Sequence, residues 1–402
     1  MATGKTATSK GTRFRWGKLA ALLGLVALIG GCSQLKAGKA PPTPLPFNNA
    51  LYTPVAVPEP SQFITLTDAQ RAELADFVVR PDIAGLPVYK QAQRFLVTKL
   101  QDFGYEGKNL GASEALDSLG GNCMSLALVT LAVARELGVP AQFQLVHEAP
   151  VLLDMKDDLM VLSDHVRSLL YDAPMDTPFL SPYFGGYSIM VVDYFPSGNN
   201  LFGALLKQET FIAMFYRNLA SDALIKGDLA AAYWLSREGL KWDSTYVPLI
   251  NIAAIIHRRS DDDASAEALY RHALMLEPNN LNLLSNYRTL AIHKKDVVLE
   301  QSLVSRMEAI DEHNGYDFYL LGRDALVRGE YLAAERYLTK FLNSTPYFHP
   351  AWFDIARAQV ALGKEDKARE ALRQAMTLAS QDEDLRKYQA KLAMIKTQAV
   401  RH

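Results

Sequence analysis

Cysteine is scarce in this 402-residue chain, which contains only Cys32 and Cys123. Two thiols cannot build a disulfide framework or a cysteine-rich zinc site. Acidic residues are missing until Glu59, while Lys5, Lys10, Arg13, Arg15 and Lys18 crowd the region before an uncharged apolar run from Leu19 to Ile29. The run is too short for a permanent transmembrane helix, which needs roughly 20 residues to cross about 30 Å of hydrocarbon. Charge of one sign is not in excess either: the formal net charge is −2, and no basic cluster lies beyond the first 31 residues. That argues against nucleic acid as a partner. Histidine is sparse, and five of the eight (His257, His272, His293, His313, His349) fall within residues 213–382 at no metal-ligand spacing. Neither a metal nor an organic cofactor is implied.

What is present begins with the positive, then apolar, N-terminus, the pattern of a secretory signal. It ends Leu28-Ile29-Gly30-Gly31-Cys32, which resembles the bacterial lipobox. The resemblance implies removal of residues 1–31, lipid on Cys32 as the new N-terminus, and attachment to a membrane through that lipid. In that family a serine at the next position, here Ser33, allows transfer to the outer membrane, so the expected location is the bacterial envelope, facing the periplasm. Residues 32–60 carry seven prolines and little charge, and such a stretch reads as an extended tether. With Cys32 assigned to lipid, Cys123 has no intramolecular disulfide partner. A lone thiol in an exported protein is either buried and inert or kept for its chemistry, and composition does not choose. A hydrophobic share of 49% over the roughly 340 residues that follow suffices for two domains.

The second half is periodic. Gly227, Asp261, Lys295, Gly329 and Gly363 lie 34 residues apart, each in a polar break between two amphipathic helical patterns. The spacing predicts a solenoid of helical hairpins. The clearest unit, Gly315 to Phe348, carries Phe318, Leu321, Gly322, Gly329, Tyr331, Ala334 and Pro346, and resembles the tetratricopeptide repeat. The next unit has Trp352, Ile355, Ala356, Gly363, Ala368 and Ala375. The unit from Leu281 to Asn314 is the most divergent, with Arg288 and Glu300 at two small-residue positions. About five units span 213–382 within an array of 208–400, and Asp384 to Ala399 reads as a capping helix. The expected role of such an array is a groove that binds a protein or peptide partner, without chemistry of its own.

Residues 61–207 form the other expected domain. Helical patterns near Thr67–Val79 and Val88–Phe103 are followed by glycine breaks, and then by an apolar helix running from Cys123 to Leu137, ended by Gly138 and Pro140. The thiol therefore sits in a first helical turn after Gly120-Gly121-Asn122. A helix N-terminus favours thiolate over thiol, and its N–H groups can hold an oxyanion. A nucleophilic cysteine also needs a base and an orienting group.

This segment resembles the transglutaminase-like branch of the papain-type thiol enzymes: small residues, Cys, a long apolar helix, then Leu137-Gly-Val-Pro-Ala before a strand. The resemblance covers about residues 105–200 and implies an α+β fold, a central helix on an antiparallel sheet, ahead of the all-α array. It implies Cys123 as nucleophile, His165 on a strand as base, and Asp193 on a later strand as the group orienting His165. The interval from His165 to Asp193 is longer than the family's, and no upstream residue can be named as its oxyanion donor. His147 is the alternative base, one strand earlier. Two functions stay open: acyl transfer on peptide or protein amides, as peptidase, amidase or transglutaminase, or a non-catalytic envelope adaptor in which both parts only bind.

Overall fold

A computed structural model describes residues 45–156, 159–172, 189–192, 201–310, 315–379 and 382–399. Contacts divide the chain into two compact units, Met1–Leu45 and Pro46–His402. The expected signal, Cys32 and Ser33 lie outside the described residues, and everything below concerns the second unit. Among the described residues no helix is long and apolar enough to cross a membrane.

After a 3-10 turn at Asn49–Leu51 come α1 (Pro60–Phe63), α2 (Asp68–Val78), α3 (Val88–Lys99), β1 (Gly104–Tyr105), α4 (Ala112–Ser118) and β2 (Gly120–Gly121). The apolar helix α5 follows at Cys123–Glu136, with every residue from Cys123 to Ala134 buried. Burial on all sides explains why its sequence shows no polar face. Next are β3 (Ala141–Lys156), β4 (Leu159–Tyr171), β5 (Ile189–Val192) and β6 (Leu201–Leu206), which form an antiparallel sheet in the order β5-β4-β3-β6. The β3–β4 hairpin is long, and its register is interrupted between Val146 and Val151. One face of the sheet, with Phe143, Val166, Leu170 and Val192, packs in the same core as α5.

The rest is helical: α6 (Gln208–Ile225), α7 (Leu229–Trp242), α8 (Val247–Arg259), α9 (Asp263–Leu276), α10 (Leu281–His293), α11 (Val297–Glu308), α12 (Gly315–Arg328), α13 (Tyr331–Ser344), α14 (His349–Ala361), α15 (Glu365–Leu378) and α16 (Asp382–Ala399). Helices α6 to α15 pair as five hairpins, as the period predicts. All five break positions are left-handed: φ is 80° at Gly227, 57° at Asp261, 57° at Lys295, 76° at Gly329 and 71° at Gly363. The hairpin turn thus dictates the period, and Asp261 and Lys295 hold a conformation disfavoured by their Cβ atoms. Within a hairpin and between neighbouring hairpins the helices approach closely. A Cβ on Gly239 would lie 2.6 Å from Leu249 Cδ2 and 2.7 Å from Tyr216 Cβ. Tyr388 of α16 is buried, stacked on Phe353 at 4.9 Å, with its hydroxyl 2.8 Å from His349 Nδ1, so α16 covers the last hairpin.

The divergent third unit has its own solution. Arg288 reaches Glu300 at 2.8 Å and also pairs with Asp324 of the next hairpin. The charges at the two usually small positions are each other's partners.

Two features depart from the sequence reading. The core does not stop at the expected boundary near residue 207: Phe211 and Phe215 of α6 belong to the core of α5 and the sheet, and Phe211 stacks on Phe143 with centroids 3.7 Å apart. In addition, the described part of the proline-rich stretch does not stand off the body. Tyr216 Oη donates to the Pro58 carbonyl at 2.6 Å, Trp234 Nε1 to that of Thr53 at 2.9 Å, and Tyr52 is buried.

Candidate functional site

Cys123 opens α5, and local chemistry fixes that opening. Asn122 is the N-cap, its Oδ1 accepting from Ser125 N at 3.0 Å. The loop from β1 wraps this turn. Asn122 N donates to the Lys108 carbonyl at 3.1 Å, and buried Ser125 Oγ donates to the same carbonyl at 3.2 Å while accepting from Leu110 N at 2.9 Å. Gly121 must be glycine: its φ is 133°, and a Cβ there would lie 2.7 Å from Ser125 Cβ. Leu119, just before, is also left-handed at φ 47°.

A polar chain ties this turn to the array. Asn122 Nδ2 donates to Asn109 Oδ1 at 2.6 Å, and Asn109 Nδ2 donates to Asp222 Oδ2 of α6 at 2.8 Å. Burial raises the Asp222 carboxyl's affinity for a proton, with the Asn109 hydrogen bond pulling the other way. Asn109 and Asp222 were not legible as site residues. Only the glycine break around position 107 hinted at a loop here, and nothing linked it to a residue more than a hundred positions away.

Cys123 itself is only 6% exposed and lies in the core with Met124, Val166 and Val192. The sheet facing it supplies the strands expected to carry the base and its orienting group. His165 lies in β4, its backbone paired with Val146 at the last regular pair before the interruption. In β4, Val166 and Leu170 belong to the same core as α5. The side chain of His165, that of His147, and the whole of Asp193 lie outside the described residues; β5, which ends at Val192, is hydrogen-bonded to β4. On the far face of the sheet Arg167 donates to Gln144 Oε1 from Nε at 2.9 Å and from Nη2 at 2.6 Å. Among the described residues no group of three or more His, Cys, Asp or Glu could hold a metal ion.

In the array the hairpins stack as repeats, and α14 with α15 keeps the full set of small and bulky positions. Residues 349–382 match the family model of the tetratricopeptide repeat. No curated protein matches the sequence at a significant level. Solved structures similar to the chain include the APC/C hetero-tetramer Cut9-Hcn1, at 15% identity and TM-score 0.38, covering 46% of this chain and 37% of that one. Pseudomonas aeruginosa pilF matches at 17% identity and TM-score 0.36, over 48% of this chain and 93% of that one. YrrB, a TPR protein with an unusual peptide-binding site, matches at 16% identity and TM-score 0.30, over 44% of this chain and 92% of that one. The tetratricopeptide reading rests on the 34-residue pattern, on the five helical hairpins of this chain and on the family model over 349–382.

Proposed function

We propose that the protein is a lipid-anchored envelope protein that binds a peptide or protein partner along its repeats and carries out acyl transfer on an amide through Cys123. In this reading Cys123 attacks the carbonyl, His165 takes the thiol proton and returns it to the leaving amine, and Asp193 orients His165. Water or an amine completes the transfer. The N-terminal part would be the papain-like, transglutaminase-type domain, anchored through Cys32 and followed by the array. The observation that carries the chemistry is the position of Cys123, in the first turn of a buried helix, capped by Asn122 and packed on the sheet that contains β4.

The adaptor reading, in which both parts only bind, is favoured by a specific observation: Cys123 is 6% exposed, as an inert core thiol would be. Alkylation separates the two. In a Cys32→Ser chain Cys123 is the only thiol. The enzyme reading expects iodoacetamide to label it in native protein at about pH 6, where an ordinary thiol of pKa about 8.5 is almost wholly protonated. It expects His165→Ala to move labelling to higher pH and His147→Ala to leave it in place. Labelling only after unfolding, at every pH and regardless of His165, would leave the adaptor. The anchor is tested apart from this: Cys32→Ala should keep the signal uncleaved or release the protein from membranes.

A further inference from the structure

The stretch Pro46–Pro58 is not merely close to the array; it fills a slot that two of the later junctions close with charge. Tyr52 stacks on Tyr233 of α7 with centroids 4.0 Å apart and an interplanar angle of 11°, and meets the ring of His257 of α8 edge-on at 5.7 Å. Asn48 Nδ2 donates to Asp262 Oδ2 at 3.2 Å, Asn49 Oδ1 accepts from Tyr233 Oη at 2.7 Å, and Phe47 stands edge-on to Tyr233 at 6.0 Å. Asp262 Oδ2 also holds His257 Nδ1 at 3.0 Å. One period later the position of Tyr233 is Glu267, ion-paired across the junction to Lys294; three periods later it is Glu335, paired to Lys364. At those junctions a glutamate and a lysine seal adjacent hairpins. At the first junction an aromatic ring, a buried histidine and an aspartate leave a recess, and a tyrosine from a distant part of the chain occupies it.

We propose that the junction between the first two hairpins is a peptide-binding slot, specific for a segment in which a 3-10 turn joins two asparagines to a tyrosine three residues on, and that residues 46–53 occupy it in cis as a gate. This deepens the reading of the array as a binding module and rests on it, while being independent of any chemistry at Cys123. The recognition elements are a ring stacked on Tyr233, the Asp262 carboxylate and the Tyr233 hydroxyl for the two asparagine side chains, and the Trp234 indole N–H for the Thr53 carbonyl. A tethered occupant of such a slot has an effective concentration of about a millimolar, so a free peptide meets a closed slot until the gate is weakened.

The test uses the full chain and a fluorescent peptide of residues 46–59, followed by anisotropy. Tyr52→Ala in the chain should open the slot, so that the peptide binds at least about tenfold more tightly than to the wild type. Adding Tyr233→Ala should abolish that binding, as should Tyr52→Ala in the peptide. A second opened chain, Asn48→Ala with Asn49→Ala, keeps the buried tyrosine and guards against misfolding of the first; circular dichroism verifies both. Failure of the peptide to bind either folded variant, or equal binding to variants and wild type, would overturn the proposal. Cys123 labelling is indifferent to this assay, so the two readings fail separately.

Discussion

Arg288 offers the sharpest test of how the divergent repeat is held. It is 5% exposed and Asp324 6%, and the two pair across the third and fourth hairpins while Arg288 also reaches Glu300 at 2.8 Å. Removing one member of a buried pair costs about 3–5 kcal/mol, because the other charge is left in a poor solvent. Asp324 keeps Arg328, whose Nε is 3.1 Å away, so Arg288→Met should lie at the low end, about 3 kcal/mol. For an array of this size that corresponds to a midpoint lower by about 6–12 °C. Burial already raises the proton affinity of Asp324 against the pull of Arg288 and Arg328. A folded-state pKa raised in this way means that the ionised form costs stability at high pH, and the cost disappears as pH falls. Without Arg288 the affinity rises further. The deficit of Arg288→Met should therefore be largest at about pH 7.5 and shrink towards about pH 5. Because burial outweighs the ionic attraction, the triple change Arg288→Met, Glu300→Ala and Asp324→Leu should recover most or all of the loss. Urea unfolding by circular dichroism, with hydrogen exchange along α10 to α13, reads all three effects. A single variant within about 0.5 kcal/mol of wild type, or a triple variant less stable than the single one, would refute the reasoning.

Lys295→Gly should stabilise the array by about 1 kcal/mol, since φ is 57° there and glycine carries no Cβ penalty; a lower thermal midpoint would contradict the turn argument. Gly239→Ala should destabilise by about 1–3 kcal/mol through overpacking against Leu249 and Tyr216, read as a lower urea midpoint. Burial lowers the pKa of His257, with Asp262 opposing, so the folded state takes up a proton less readily than the unfolded one. The stability this confers is complete above the unfolded value of about 6.5 and is lost progressively as pH falls below that value and through the lower folded one. Wild type should lose more stability than His257→Gln between about pH 7.5 and pH 5.5, and parallel losses would show that the histidine does not titrate on unfolding.

Much of the array was legible because its constraint is local and repeated. A left-handed turn every 34 residues, flanked by small residues where helices touch, marks its own boundaries in the sequence, and even Asp261 and Lys295 reveal themselves by position. The apolar helix opening at Cys123 was legible for a similar reason, since burial on all sides leaves no polar face to mask it. What the sequence could not show depends on contacts between distant residues. The proline-rich stretch reads as a tether because nothing nearby can pack against it; only folding brings Tyr233, His257 and Asp262 together to receive Tyr52 and Asn48. Arg288 and Glu300 look like defects until Asp324 arrives from the next hairpin. Asn109 and Asp222 acquire a role only once α6 lies beside the turn that holds Cys123. Local geometry is written in short-range pattern, whereas a buried polar group or an aromatic recess takes its meaning from partners far along the chain, which only the tertiary structure supplies.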